Sequence, residues 1–441
     1  MSSFFIPKTI IIENSQNFPV NYLDIFFLDD LKGYQEEPFH LTIISDIKDD
    51  FIFNNKTFLA INLSGKKVKL YEEGELLEKI PILALGDIYN WGGTPVGLYN
   101  IMSKHRLAFS SIANVYMPYA LRFYGKYFIH GEPFFPGGRQ FISEISGGCV
   151  GVSNEDARSI FEFAELNMPV LIINEERDYF EFKGKNLSDF PEISAKSYLV
   201  VDLNSGFVFA EENSEKQLSI ASLTKLMNAI VVAENIDLRR SIVVQQKMLK
   251  PRGDTKGLRV GRRFRVVELF YPLLIESSND SAEILSGFLG RDRTIRKMNQ
   301  KAEAILMKST EFVDPHGLSL KNVSTAQDLF QLARYTLNVR QPLLEISRGN
   351  KVRSFGRVYF KIEELFNRNI FFNDPSFVGG KTGFLLQAKH SAIFIFRFST
   401  YSEEIRNIAI ILLGSENNKS DTQRIYRWLL ENYSLSPEIA I

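Results

Sequence analysis

The stretch Ala221-Ser222-Leu223-Thr224-Lys225-Leu226-Met227 decides the reading of the C-terminal half. An apolar, helix-like pattern runs from it to Asn235. Ser222 and Lys225, three apart, therefore share a helix face, and the ammonium can reach the hydroxyl. A serine at a helix start also turns its backbone N–H toward a developing oxyanion. Lysine acts as a base only when neutral, and crowding by a second cation, here Lys381, lowers its pKa. Ser-x-x-Lys alone is equally an ordinary amphipathic helix start. Two stretches that follow in order raise it above that: Ser277-Ser278-Asn279 and Gly380-Lys381-Thr382-Gly383. The second is not the tail of a phosphate-binding loop, because Pro375 stands where that loop needs glycine.

Outward from this core, Tyr198–Asp202, Ser391–Arg397 and Asn407–Leu413 read as strands, the last two as neighbours. Val266–Leu289 reads as helix interrupted near Ser277, and Asp421–Asn432 as a closing helix. Upstream of Gly184–Glu192, a turn-rich linker signal, the text is different. Thr57–Leu63 and Lys67–Tyr71 predict a hairpin, Asn154–Ala164 a helix and Pro169–Ile173 a strand. These changes give a division into 1–55, an N-terminal extension without assignable chemistry, 56–183, a linker at 184–195, and 196–441.

The single cysteine, Cys149, excludes intrachain disulfides and Cys-rich zinc modules, and it lies in Ser146-Gly147-Gly148-Cys149. A catalytic thiol needs a base, and His130 lies upstream in Phe128-Ile129-His130-Gly131. A histidine partner can draw a thiol pKa down from about 8.5. Small glycines beside the thiol can present backbone donors to an oxyanion. A lone cysteine and a lone histidine are equally compatible with a buried small side chain near an unrelated ring.

Context carries this pair further. Thr94–Ile101, Met117-Pro118-Tyr119, Ile129–Gly131, Ser146–Cys149 and Ser153–Ala157 follow one another in an order that resembles the L,D-transpeptidase (YkuD-like) catalytic domain, over roughly 56 to 174. The resemblance implies Cys149 as nucleophile and His130 as base. It places the oxyanion hole at the N–H groups near Gly148 and Cys149, with Ser146 and Gly148 on the substrate. Two departures stand out: Gly147 replaces a usual histidine, and Gly151 a usual arginine. Arg139 and Arg122 are the candidates to substitute for that arginine in space.

The serine motifs, with Met298–Ala304, Phe312–Leu318 and Ser324–Leu329, resemble the low-molecular-mass D-alanyl-D-alanine carboxypeptidases (peptidase family S11) over roughly 196 to 432. This implies that Ser222 forms the acyl-ester, Lys225 takes its proton, Ser277 relays a proton and Asn279 holds the substrate amide. Lys381 and Thr382 would bind the terminal carboxylate, and Ser222 and Phe384, after Gly383, would give the oxyanion N–H groups. Ser278 replaces a usual glycine, and His316 is read as structural.

The expected architecture is therefore a mainly-β L,D-transpeptidase-like domain followed by an α/β (α+β) penicillin-recognising domain. The expected function is bifunctional: trimming of stem pentapeptides to tetrapeptides, then L,D-transpeptidation of the tetrapeptide. The competing class is a cell-wall protein that holds stem peptides with one or both sites inactive. Expected partners are peptidoglycan stem peptides, with β-lactams as inhibitors. With 52 Lys plus Arg against 52 Asp plus Glu, net charge zero argues against nucleic acid. Five scattered histidines give no metal site, and no cofactor is implied. No apolar run is long enough to span a membrane. The substrates imply an extracytoplasmic location, although Met1–Lys8 shows no signal peptide; an export segment removed or lying upstream would reconcile the two.

Overall fold

The computed structural model describes residues 40–89, 91–174, 178–185, 188–249, 258–352 and 361–440. A single 3-10 turn (Ile44–Asp46) and α1 (Ile47–Phe53) precede the predicted hairpin of β1 (Phe58–Asn62) and β2 (Lys67–Glu72). The Asn62 side chain closes its turn by accepting from Gly65 N at 2.7 Å. β3 (Glu75–Pro81) extends the hairpin, and after a short β4 (Leu85–Gly86) comes β5 (Gly97–Asn100). A second sheet holds β6 (Ser103–Ser110), β7 (Val115–Tyr124) and β8 (Tyr127–His130). β9 (Ile145–Ser146) pairs with β4, whereas β10 (Val150–Gly151) lies parallel to β8, Gly151 opposite His130. α2 (Asn154–Phe163) is capped by the Ser153 hydroxyl, which accepts from Asp156 N, and buries Ala157 and Ile160. β11 (Pro169–Ile173) returns parallel to β1 and completes the first sheet in the order β3-β2-β1-β11-β5.

The serine half opens with β12 (Ser197–Asp202) and β13 (Val208–Glu212). Two short ribbons, β14 (Leu218–Ser219) with β17 (Val323–Ser324) and β15 (Ser241–Val243) with β16 (Arg263–Arg265), brace its helices. α3 (Thr224–Asn235) is buried on every side as far as Glu234, as its continuous apolar sequence requires. α4 (Val266–Leu274) and α5 (Asn279–Gly287) are separated where an interruption was expected. Pro272 inside α4 donates no hydrogen bond, its carbonyl accepts from Ser278 N at 3.0 Å, and Ser277 turns into the left-handed region at φ +61°. α6 (Arg291–Ala304), α7 (Ala326–Val339) and α8 (Gln341–Arg348) follow.

β18 (Phe377–Leu385), β19 (Lys389–Thr400) and β20 (Ile405–Ser415) then join β12 and β13 in the order β13-β12-β20-β19-β18. After α9 (Asn418–Asn432), β21 (Leu435–Pro437) pairs with β19. Strand alternation sorts the two faces: Val200, Phe394, Ile410 and Leu412 pack toward α9, whereas Leu199, Val201, Ile393 and Ile411 belong to the core that contains α3.

That second core does not stop at the serine half. It runs through Trp91, stacked on Phe270 at 5.4 Å, into Phe58, Ile61 and Leu171 of the first sheet. At its centre lies Glu234 of α3. One carboxylate oxygen is 2.9 Å from Lys301 Nζ and the other 3.0 Å from Arg340 Nη2, all three side chains being fully buried. Tyr335 OH donates to the same carboxylate. Lys301 donates to Tyr99 OH at 2.8 Å, and Arg340 donates to Tyr127 OH at 2.9 Å and to Gly93 O at 2.8 Å, so the ions bridge both halves. Burial alone would raise the Glu234 pKa, but Lys301 and Arg340 hold it below the ordinary carboxylate range.

The described parts of the expected extension (40–55) and of the linker are built into this body. Leu41, Ile43 and Ile44 are core residues, and His40 bridges to Phe207; residues 1–39 lie outside the described residues. In the segment 184–195, Lys185 N bonds Asn432 O at 2.7 Å, Trp428 Nε1 donates to Ser188 O at 3.1 Å, and Phe190 stacks on Tyr198 at 4.7 Å. The segment is pinned along α9, with 186–187 outside the described residues. Among the described residues no helix is long and apolar enough to cross a membrane.

Candidate active sites

Ser222 sits in a 3-10 turn (Ala221–Leu223) that leads directly into α3, entered through Ala221 at φ +47°. The backbone around it is crowded. A Cβ on Gly383 would lie 2.8 Å from Ser222 N, and one on Gly317 would lie 1.9 Å from Ala221 O. Only glycine lets β18 and the 317 turn approach the serine this closely.

One helical turn on, Lys225 Nζ donates to Ser222 Oγ at 2.8 Å and to His316 O at 2.6 Å. Burial lowers its pKa to about 7, against the opposing pull of the Asp314 carboxylate. Desolvation, rather than the expected crowding by Lys381, therefore lowers the pKa of Lys225. The repulsion between the two lysines adds to burial at Lys381, whose pKa falls well below the ordinary value. Lys381 Nζ donates to Ser277 Oγ at 2.9 Å, so the second and third motifs also meet.

Asn279 opens α5 directly behind this contact, and Asn228 of α3 ties the two helices by donating to Ala282 O at 3.1 Å. Ser278 caps α5 by accepting from Ser281 N at 3.1 Å, a use for the hydroxyl at the position where the resemblance led glycine to be expected. Thr382 Oγ1 donates to Arg368 O at 3.2 Å, and Phe384, exposed, lies against His390 at 4.6 Å between ring centroids. His316 is held between Glu283 at 3.1 Å and Asp314 at 3.0 Å. Burial alone would lower its pKa, but hydrogen bonds to the two carboxylates raise it. Its ring is thus engaged in fixing the loop whose carbonyl holds Lys225.

Cys149 precedes β10 and, by the parallel register, lies two residues diagonally from His130 on one face. The turn before it is laced by Ser146 Oγ, which accepts from Gly148 N at 3.0 Å and donates to Cys149 O at 2.6 Å. Gly148 has φ +108°, and a Cβ there would lie 2.3 Å from the Tyr127 ring. Gly147 faces open space. His130 Nδ1 donates to Gly131 O at 2.6 Å, which fixes the tautomer and leaves Nε2 as the acceptor. Burial lowers the ring's pKa, so it is neutral at pH 7.

The thiol is not activated as expected. Its Sγ is directed at Lys126 O at 3.9 Å, and among the described residues no hydrogen bond joins it to His130. Burial pushes its pKa up to about 11, with the Phe128 backbone and the Lys126 charge offsetting only part. The free site therefore holds a neutral thiol and a neutral imidazole side by side.

The expected substitutes for the missing arginine are engaged elsewhere. Arg122 Nε donates to Gly125 O at 2.8 Å, and Arg139 lies over the Phe135 ring at 4.8 Å. At Gly151, Ala84 is bonded alongside and a Cβ would meet the Ala84 Cβ at 3.0 Å, a tight contact that glycine avoids. Among the described residues, the cations lining the cavity of about 790 Å³ around Cys149 are instead Lys126 and Arg239. Sequence reading missed both. Lys126 reaches the carbonyls of Ala233 and Ile236, and nothing local marks a contact across more than a hundred residues.

Residues 185–416 match the D-alanyl-D-alanine carboxypeptidase family, peptidase S11, over more than half of the chain. The chain belongs to that family. Residues 56–172 match the L,D-transpeptidase catalytic domain, so an L,D-transpeptidase domain precedes the carboxypeptidase domain. The chain is 30% identical to a D-alanyl-D-alanine endopeptidase of Pseudomonas aeruginosa, over 54% of its own length and 78% of that protein. It is also 30% identical to a D-alanyl-D-alanine carboxypeptidase of Mycobacterium tuberculosis, over 46% of this chain and 70% of the relative. Among solved structures, a D-alanyl-D-alanine carboxypeptidase from the same organism covers 59% of this chain and 99% of its own, at 23% identity and TM-score 0.48.

Proposed function

We propose that the chain is a bifunctional peptidoglycan enzyme acting outside the cytoplasmic membrane. The observation that carries the serine reading is a fully buried Lys225 within 2.8 Å of Ser222 Oγ, with its pKa near 7. Neutral Lys225 takes the Ser222 proton as Oγ attacks the carbonyl of the penultimate D-Ala. The N–H groups of Ser222 and Phe384 receive the oxyanion. Lys381 and Thr382 take the terminal carboxylate, and Asn279 holds the substrate amide. A proton passes through Ser277 to the leaving D-Ala amine, and water then frees the tetrapeptide. β-Lactams enter by the same acylation.

The L,D step rests on the domain match and on Cys149 and His130 lining one cavity. Bound substrate displaces water, and Cys149 gives its proton to His130 Nε2 as sulfur attacks the donor carbonyl at the L-centre. The imidazolium returns the proton to the departing D-Ala amine, and an acceptor amine resolves the thioester. The raised thiol pKa favours a second reading, in which the cysteine pocket only holds stem peptides.

Mass spectrometry of muropeptides separates the readings. Wild type given pentapeptide should form tetrapeptide and then L,D products. Cys149→Ala should stop at tetrapeptide, and Ser222→Ala should leave pentapeptide intact. Tetrapeptide without any L,D product from wild type would refute the L,D step and leave the holding reading.

A further inference from the structure

Part of the wall around Cys149 comes from the carboxypeptidase domain. Ala233, near the end of α3, and Asp237, Leu238 and Arg239, just beyond it, line the same cavity as Cys149 and His130. Asp237 holds the Arg239 guanidinium side-on: Nε lies 3.0 Å from Oδ1 and Nη2 lies 2.8 Å from Oδ2. Arg239 N also donates to Asp237 Oδ1 at 3.0 Å, which fixes the carboxylate itself. Nη2 further reaches Ile112 O, on the other domain, at 3.5 Å. Nη1 bonds to none of the described residues, and the side chain is 53% exposed. Nη1 of an oriented guanidinium is therefore left for a ligand.

The proposed L,D donor brings a matching group, since a stem tetrapeptide carries a free carboxylate on the D-residue next to the bond that is cut. Position 151, a glycine closely approached by Ala84, supplies no cation to the cavity. Lys126, the other cation in the cavity, is committed to the Ala233 and Ile236 carbonyls at 3.4 and 3.3 Å. Arg239 Nη1, held in place by the guanidinium's bonds to Asp237, can donate a charge-assisted hydrogen bond to a carboxylate oxygen. We propose that Arg239 receives the donor's terminal carboxylate, so that the cysteine site is completed by a residue of the carboxypeptidase domain and oriented by Asp237. This rests on the L,D reading for its ligand. Asp237 offsets part of the charge, and the rim is wet, so the contact acts through hydrogen bonds more than through long-range attraction.

The test uses full-length protein carrying Cys149→Ala, with Ser222 acylated by penicillin so that only the cysteine pocket is open. Calorimetry measures binding of the stem tetrapeptide and of the same peptide ending in a carboxamide, and the unfolding midpoint checks each variant's fold. Arg239→Ala should weaken the acid form about 10- to 100-fold, the range of a charge-assisted hydrogen bond. Arg239→Lys should recover part of that loss. The carboxamide should bind weakly to both proteins and be indifferent to Arg239. Equal losses for acid and amide, no loss for either, or no binding of the tetrapeptide would overturn the proposal. Arg239-dependent binding in a protein whose wild type makes no L,D product would instead refute the catalytic reading and leave this site standing.

Discussion

A free lysine of pKa 10.5 is neutral at pH 7 in roughly three molecules in ten thousand, whereas one at about 7 is neutral in about half. Burial of Lys225 thus enriches the base form on the order of a thousandfold. Because the folded pKa lies below the unfolded value, the base form grows as pH rises through 7. By the same linkage, this group's contribution to stability improves between about pH 7 and pH 10.5. The acylation rate of Ser222 by a fluorescent penicillin, followed from pH 5 to 9, should climb about fivefold between pH 6 and 7 and less than about twofold from 7 to 8. Lys225→Arg keeps a cation that does not deprotonate, so it should lose about 10²–10⁴ in rate together with the inflection. A profile that keeps rising about tenfold per pH unit from 7 to 9, as a lysine of ordinary pKa would give, would refute the argument. So would a Lys225→Arg protein that keeps the wild-type rate and inflection.

Cys149, at about pKa 11, should react with iodoacetamide at pH 7 at least about a hundredfold more slowly than a free thiol of pKa about 8.5. It is the sole cysteine, so the rate is read without background, and fast neutral alkylation would contradict the buried-thiol account. Gly148→Ala should cost about 1–3 kcal/mol in denaturant unfolding and block L,D turnover, because its Cβ strikes the Tyr127 ring and its φ is +108°. Gly147→Ala, which meets nothing within 4 Å, should stay within about 0.5 kcal/mol of wild type; equal costs at both positions would invalidate the turn geometry. Glu234→Gln leaves Lys301 and Arg340 buried without their counter-ion and should cost about 3–5 kcal/mol, read from the unfolding midpoint. A loss under about 1 kcal/mol would show that the bridge between the domains does not depend on this charge.

Short-range features were the legible ones. The i,i+3 spacing put Lys225 on Ser222, the β-rich Lys67–Tyr71 read as one arm of a hairpin, and the helix interruption was placed near Ser277. What escaped depends on partners far along the chain. Lys225 owes its pKa to desolvation, which no spacing reveals, and the thiol of Cys149 is raised for the same reason. Glycine at 151 read as a missing arginine, whereas the fold uses it to let Ala84 close in. The linker signal at 184–195 was composition without context: its polar, turn-prone residues are those that bond along α9.

α3 begins beside Ser222 and ends at the wall of the Cys149 cavity. Twelve residues at about 1.5 Å each make it a rod of about 18 Å. A fully extended tetrapeptide reaches at most about 14 Å. On the proposed order of reactions, a trimmed stem seated at Ser222 therefore lies about one helix length from the part of the second pocket that α3 builds. It has to leave the serine site and enter the second pocket afresh. Passage between the two chemistries then becomes a matter of residence and recapture, governed by how long the glycan strand that bears the stem stays against the protein. The rigid spacing set by one buried helix makes the intermediate a released product that neighbouring enzymes can intercept.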